Sequence, residues 1–233
     1  MKFFALLVCA HILGDFLLQP DCMVKHKNNN WVFLIHLFIH GLVGWLCIAQ
    51  WNVWVVPFYI FATHGLFDWV KRRMSDTAQS FIVNQCLHLL TLFILEYYLN
   101  SIGLLPPSGI SYKVLVWIAG FVATVQGSGY LVAKVTNKLV EDNNLKIDGL
   151  AGGGKLIGQL ERILIFLMVV IGQPGGIGFL IAAKSILRFE KAQSEAKHAE
   201  YVLNGTLLSF TLAIALNYCL PVKPISFSAL PVS

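Results

Sequence analysis

Apolar runs of about 17–22 residues recur along the whole chain, and each can cross a ~30 Å hydrocarbon core as a helix. A chain built this way has little freedom: its long apolar runs must face lipid, and its few polar groups must face one another. Composition agrees. Of 233 residues, 57% are hydrophobic and only 12% charged, where a soluble domain carries about a quarter charged residues. The same figures exclude a disordered chain, which needs few apolar and many charged residues. The reading is an all-α, polytopic membrane protein.

Eight apolar segments are expected, at about 3–19, 31–50, 52–70, 81–99, 113–133, 156–172, 175–189 and 201–220, the first and seventh short. The connections sort by charge. Those after the first, third, fifth and seventh segments hold twelve Lys and Arg (Lys25, Lys27, Lys71, Arg72, Arg73, Lys134, Lys138, Lys146, Lys155, Arg188, Lys191, Lys197), against Lys2, Lys113 and Lys223 opposite. The positive-inside rule then places the basic loops in the cytoplasm and both termini outside. The net charge of +5 is thus a topology signal rather than a sign of nucleic-acid binding. The opening Met1-Lys2-Phe3-Phe4 run is expected to be retained, since His11 and Asp15 interrupt it and no convincing cleavage site follows. Five scattered cysteines without a C-x-x-C pair argue against a disulfide framework or a thiolate metal site.

Pro106-Pro107-Ser108-Gly109 divides the chain into a histidine- and aspartate-rich half, 1–105, a linker, 106–112, a second membrane half, 113–220, and a tail, 221–233. In the first half a helical spacing repeats on four consecutive segments: His11 and Asp15, His36 and His40, His64 and Asp68, and Asn84 and His88, each pair four apart. Residues four apart share a helix face. Counted from the segment ends at 1.5 Å per residue, all these groups fall roughly 5–14 Å from the cytoplasmic boundary, in one layer. Ionisable groups inside a membrane are costly and mark function.

Five imidazoles and two carboxylates (His11, Asp15, His36, His40, His64, Asp68 and His88) offer the nitrogen and oxygen donors that Zn²⁺ or Mn²⁺ takes. They suffice for one site with spare acid–base groups, or for two neighbouring sites. Bis-histidine haem is the lesser alternative, because it leaves the aspartates without a role; a proton relay or plain helix packing is another. In the hydrolytic reading Asp15 or Asp68 serves as ligand or base, and Lys71 offsets charge on the leaving oxygen. In the second half Glu161, Arg162, Lys184 and Arg188 read as interfacial ion pairs or, less favoured, as a pocket for an anionic head group. Gly149-x4-Gly154-Lys155 is not a phosphate-binding loop, because Leu156 replaces the Ser/Thr and no strand precedes it.

These residues also carry a resemblance. His11-x3-Asp15-x3-Gln19, Lys25, His36-x3-His40, His64-x3-Asp68-x2-Lys71 and Gln85-x2-His88 resemble the motifs of an uncharacterised group of bacterial and phage membrane proteins, domain-of-unknown-function family 3307. Gly158-Gln159-Leu160-Glu161-Arg162, Ala182 to Phe189, and Glu200-Tyr201-x3-Gly205-Thr206 extend the likeness over nearly the full chain. Asn84 departs from the pattern, which leads one to expect an aspartate there. More distantly, the histidine layout is similar to that of membrane-bound metal-dependent hydrolases, an analogy at the level of fold. The expectation is a metal-dependent hydrolase that takes an amphiphilic substrate, a membrane lipid or similar phosphoester, at the cytoplasmic leaflet. A coupled transporter or channel, or a non-catalytic membrane effector, are the rival readings.

Overall fold

Helices form wherever the apolar runs fall, and the computed structural model describes residues 2–26, 28–107, 110–145, 150, 152–189 and 196–219. About 84% of the described residues are helical, with no strand among them. In chain order the helices are α1 (Lys2–Ile12), α2 (Asp21–Lys25), α3 (Asn30–Ile48), α4 (Val55–Lys71) and α5 (Ala78–Ser101). They continue with α6 (Ile110–Val122), α7 (Ser128–Asn143), α8 (Gly153–Val170), α9 (Gly175–Phe189) and α10 (Ala196–Cys219). Two wider π-turns, Leu13–Leu17 and Ala123–Gly127, follow α1 and α6 directly. Local chemistry sets several boundaries. Asn29 caps α3 by accepting the Trp31 amide at 2.9 Å, and Thr77 and Ser80 form a reciprocal capping box at the start of α5.

Among the described residues, four helices are both long and apolar enough to cross a membrane: Asn30–Ile48, Ala78–Ser101, Tyr112–Asn143 and Lys197–Cys219. The expected eight segments all recur as helices, but the other four are short or carry charge. α4 has 17 residues, and α8 includes Lys155, Glu161 and Arg162. The fifth segment, expected to stop near 133, runs on to Asn143, because Lys134–Asn143 is polar yet still helix-forming.

The chain divides into two compact units, 1–122 and 123–233. α6 packs against α1, so the first unit extends past the Pro106-Pro107 break that the sequence suggests as a boundary. The tail from 221 lies outside the described residues.

In the first unit the usual distribution of side chains is inverted. Trp31, Phe38, Phe58 and Phe93 are exposed, while His36, His40, His64 and His88 are buried. Large exposed apolar faces over a polar interior suit hydrocarbon as the solvent. α3 and α4 come close because α3 presents glycines: a methyl at Gly41 would stand 2.9 Å from the Pro57 carbonyl oxygen. Phe3, Leu7, Ile48, Val56, Ile60, Leu92, Leu95 and Leu99 pack into one apolar cluster, closing the interior on one side of the histidines.

The second unit is held by α7, α8 and α10, with α9 against α8. Ile165, Val169, Ile177, Phe210 and Ala213 form its apolar core.

Candidate metal centre

Each i, i+4 pair reaches the interior of the first unit from a different helix. His11 lies in the last turn of α1, and Asp15 lies in the middle of the π-turn that follows; such turns recur at functional sites. α3 supplies His36 and His40, α4 supplies His64 and Asp68, and α5 supplies Asn84, Gln85 and His88. Gly14 makes room for one of them. A methyl there would stand within 2.8 Å of ring atoms of His40, closer than any contact permits.

One carboxylate oxygen is the focus of three imidazoles. Asp15 Oδ1 lies 3.1 Å from His40 Nε2 and 3.7 Å from both His36 Nε2 and His64 Nε2. His36 Nε2 and His64 Nε2 are themselves 3.1 Å apart. All four donor atoms lie within 4.8 Å of one another. Ligands about 2.0–2.1 Å from a tetrahedral ion stand roughly 3.3–3.4 Å apart, a value that the 3.1 and 3.7 Å separations here bracket. His40 Nε2 is buried and makes no hydrogen bond, despite its nearness to Asp15. A buried nitrogen left in this way costs about 1–3 kcal/mol, which a bound cation offsets.

His64, Asp68 and His88 form a second donor group that shares His64 with the first. The rings of His40 and His64 stack at 3.7 Å between centroids, and those of His64 and His88 at 4.1 Å. The stack is what brings the two groups side by side. Asp68 Oδ2 lies 3.3 Å from His36 Nε2 and 3.4 Å from His64 Nε2. Its other oxygen lies 3.2 Å from His88 Nε2 and accepts from Asn84 Nδ2 at 3.0 Å.

His11, expected among the ligands, belongs to neither donor group. Its Nε2 meets Gln85 Oε1 at 2.9 Å, and Gln85 Nε2 donates to Asp15 Oδ2 at 2.8 Å. His11 and Gln85 thus hold the far oxygen of Asp15 while the near one faces the histidines. Outer groups of this kind orient ligands and are worth about 10–100-fold in metal affinity. Gln85→Ala should therefore weaken metal binding by that factor while leaving the fold intact, read by competition with a metal chelator.

The carboxylates are the more exposed groups of the centre. The imidazoles are at most 5% exposed, whereas the Asp15 and Asp68 side chains are 11% and 18% exposed. Behind the histidines a cavity of about 10 Å³, bounded by Leu7, Ile60 and Leu92, meets the apolar cluster. Beyond Asp68, Lys71 closes α4 with its ammonium over the Phe81 ring at 5.3 Å. Arg72 donates to the Asn28 carbonyl at 2.7 Å, and Arg73 lies over Trp69 at 3.4 Å.

The second-half candidates are in the other unit. Glu161 and Lys184 form an ion pair, with Nζ 2.5 Å from Oε1. Arg162 is buried and donates to the Val125 carbonyl and to Ser209 Oγ, each at 3.0 Å. Val125 lies in the second π-turn, and Gly129 and Gly158 keep the guanidinium clear, since a methyl at either would come within 3.0 Å of it. Two hydrogen bonds from a charged donor are worth about 1.5–3 kcal/mol each. Arg162→Ala should therefore cost the second unit roughly 3 kcal/mol or more, seen as a lowered Tm in detergent. The Arg188 side chain lies outside the described side chains.

Glu96, two turns past His88 on α5, is a buried acid that the spacing argument passes over. In the sequence it is the one acid of the apolar 89–99 run, although the 84–88–92–96 stripe does mark its face as the inward one.

Residues 3–108 match the model of a family described as "Protein of unknown function (DUF3307)". The matched stretch holds every residue of the donor cluster. It stops short of the second unit, so the likeness of the later motifs stands on their sequence alone. No curated protein and no solved structure matches the chain.

Proposed function

We propose that the first unit is a membrane-embedded divalent-metal centre, for Zn²⁺ or Mn²⁺, that hydrolyses an amphiphilic phosphoester at the cytoplasmic leaflet of a bacterial inner membrane. The chain would cross eight times, with α1, α4, α8 and α9 as short spans within the bundle and both termini outside. The observation that carries the reading is the convergence of three buried Nε2 atoms on Asp15 Oδ1 at 3.1–3.7 Å. An ion at this point, when bound, supplies Lewis acidity and activates water at neutral pH. Asp68 stands ready as the base, since its Oδ2 lies 3.3–3.4 Å from His36 and His64 on the more exposed side. Lys71, at the end of the same helix, offsets negative charge on the departing oxygen. The lipid-facing aromatic surfaces suit the tails of such a substrate, and Lys71, Arg72 and Arg73 at the end of α4 suit its phosphate head group.

Transport is the weaker reading for this unit. An ion path must continue past its binding site, but behind these histidines lies the cluster of Phe3, Leu7, Ile60 and Leu92.

The test uses purified protein in vesicles of mixed anionic and zwitterionic phospholipid, with added Zn²⁺ or Mn²⁺. The expected result is metal-dependent release of a phosphate-bearing head group, reduced about 10²–10⁴-fold by Asp68→Asn. Metal- or proton-dependent flux with no product would overturn the hydrolytic reading.

A further inference from the structure

The second donor group holds something the first does not. Asn84 Nδ2 lies 3.0 Å from Asp68 Oδ1 and 2.9 Å from His88 Nε2, and those two atoms are 3.2 Å apart. Three polar atoms thus form a closed triangle, with Asn84 and His88 both buried. No assignment of hydrogens leaves every side favourable, since with Nε2 unprotonated that nitrogen and Asp68 Oδ1 are two acceptors opposed across 3.2 Å, but one assignment lets the amide bond to both neighbours. If His88 Nε2 carried a proton, that N–H would face the amide hydrogens of Asn84 across 2.9 Å. If the amide were turned over, its oxygen would face a carboxylate oxygen across 3.0 Å. With the amide as drawn and Nε2 unprotonated, one NH₂ group gives one hydrogen to Asp68 and one to His88.

In that arrangement a carboxylate oxygen and an imidazole lone pair converge on the Asn84 amide, a single point of positive charge. Converging lone pairs of these two types, 3.2 Å apart, are what a divalent ion takes from a protein. Here the amide occupies that point.

We propose that the Asn84 amide stands in for a second cation, so that this chain binds one metal ion, at Asp15, His36, His40 and His64, and not a pair. The amide has a second effect. By holding Asp68 Oδ1 it leaves Oδ2 turned toward His36 and His64, where the single ion and its substrate would lie. Asn84 is thus a positioning residue that sets how many metals the centre holds. Replacing the amide by a carboxylate removes both donated hydrogens and adds an oxygen ligand beside Asp68, His88 and His64.

This rests on the metal reading above, and the test separates the two. Wild type, Asn84→Asp and Asn84→Ala are purified with Mn²⁺, counted by elemental analysis and examined by electron paramagnetic resonance. The expected result is about one ion per chain and an isolated-ion spectrum in wild type, and about two ions with a spin-coupled spectrum in Asn84→Asp. Asn84→Ala, which removes the amide without adding a ligand, should stay near one. Two coupled ions in wild type would overturn the proposal and leave the metal reading standing, as would a single ion in a folded Asn84→Asp. If Asn84→Asp fails to fold, two ions in Asn84→Ala or in wild type would still overturn it. No ion in wild type would remove the metal reading and this proposal together.

Discussion

His64→Ala should strip the centre of metal. His64 is the residue shared by both donor groups, and its ring is the middle of the His40–His64–His88 stack. Its loss removes one of the three imidazoles around Asp15 and leaves its neighbours in the stack unsupported. Structural zinc sites bind with about 10–16 kcal/mol over four ligands, or roughly 3 kcal/mol each, so the affinity should fall about 100- to 1000-fold. Loss of the stack adds to that. Activity that depends on the ion should fall with it. The measurement is metal content after gel filtration, beside a Tm in detergent to confirm a folded bundle. Retention of metal at wild-type affinity would remove His64 from the site.

Gly14→Ala should weaken metal binding too, without touching a donor. A methyl at Gly14 would sit against three atoms of the His40 ring at once, including Nε2 and Nδ1 at 2.7 and 2.8 Å. The ring cannot give way easily, because it is stacked on His64 and held near Asp15 Oδ1. Overpacking of this kind costs about 1–3 kcal/mol. Here the strain falls on a ligand, so metal affinity should drop about 10- to 100-fold while the helices persist. Gly44→Ala is the contrast. Its methyl would meet the terminal carbon of Ile60, which can rotate away, so metal binding should survive. Equal effects from the two substitutions would argue that the helices, and not His40, were disturbed.

The polar layer is legible in the sequence for a simple reason: the helical period puts His36 with His40 and His64 with Asp68 on single faces, and lipid leaves such faces nowhere to point but inward. Period and depth give no rotation of one helix against the next, so the sequence does not say which donors meet. His11 shares the i, i+4 spacing with Asp15 yet turns to Gln85, a contact made across 74 residues. Gln85 and Asn84 look like bystanders in a list of charged groups, though each carries hydrogen bonds to an aspartate of the centre. Arg162 and Glu161 are adjacent and could pair with common partners. The structure separates them instead, one to Lys184 and the other to a carbonyl in a π-turn that no sequence pattern marks.

The span count shows another limit. Hydropathy marks all eight helical segments, but among the described residues only four are both long and apolar enough to cross on those grounds. Short helices such as α4 carry His64, Asp68 and Lys71, and the polar residues that make the site are the ones that dilute its hydropathy.

The central claim is that a metal ion belongs among Asp15, His36, His40 and His64. Elemental analysis of the wild-type protein, purified in detergent from cells supplied with zinc and manganese, tests it most directly. About one transition-metal ion per chain is the expected result. A folded protein that carries none after such supplementation would contradict the claim.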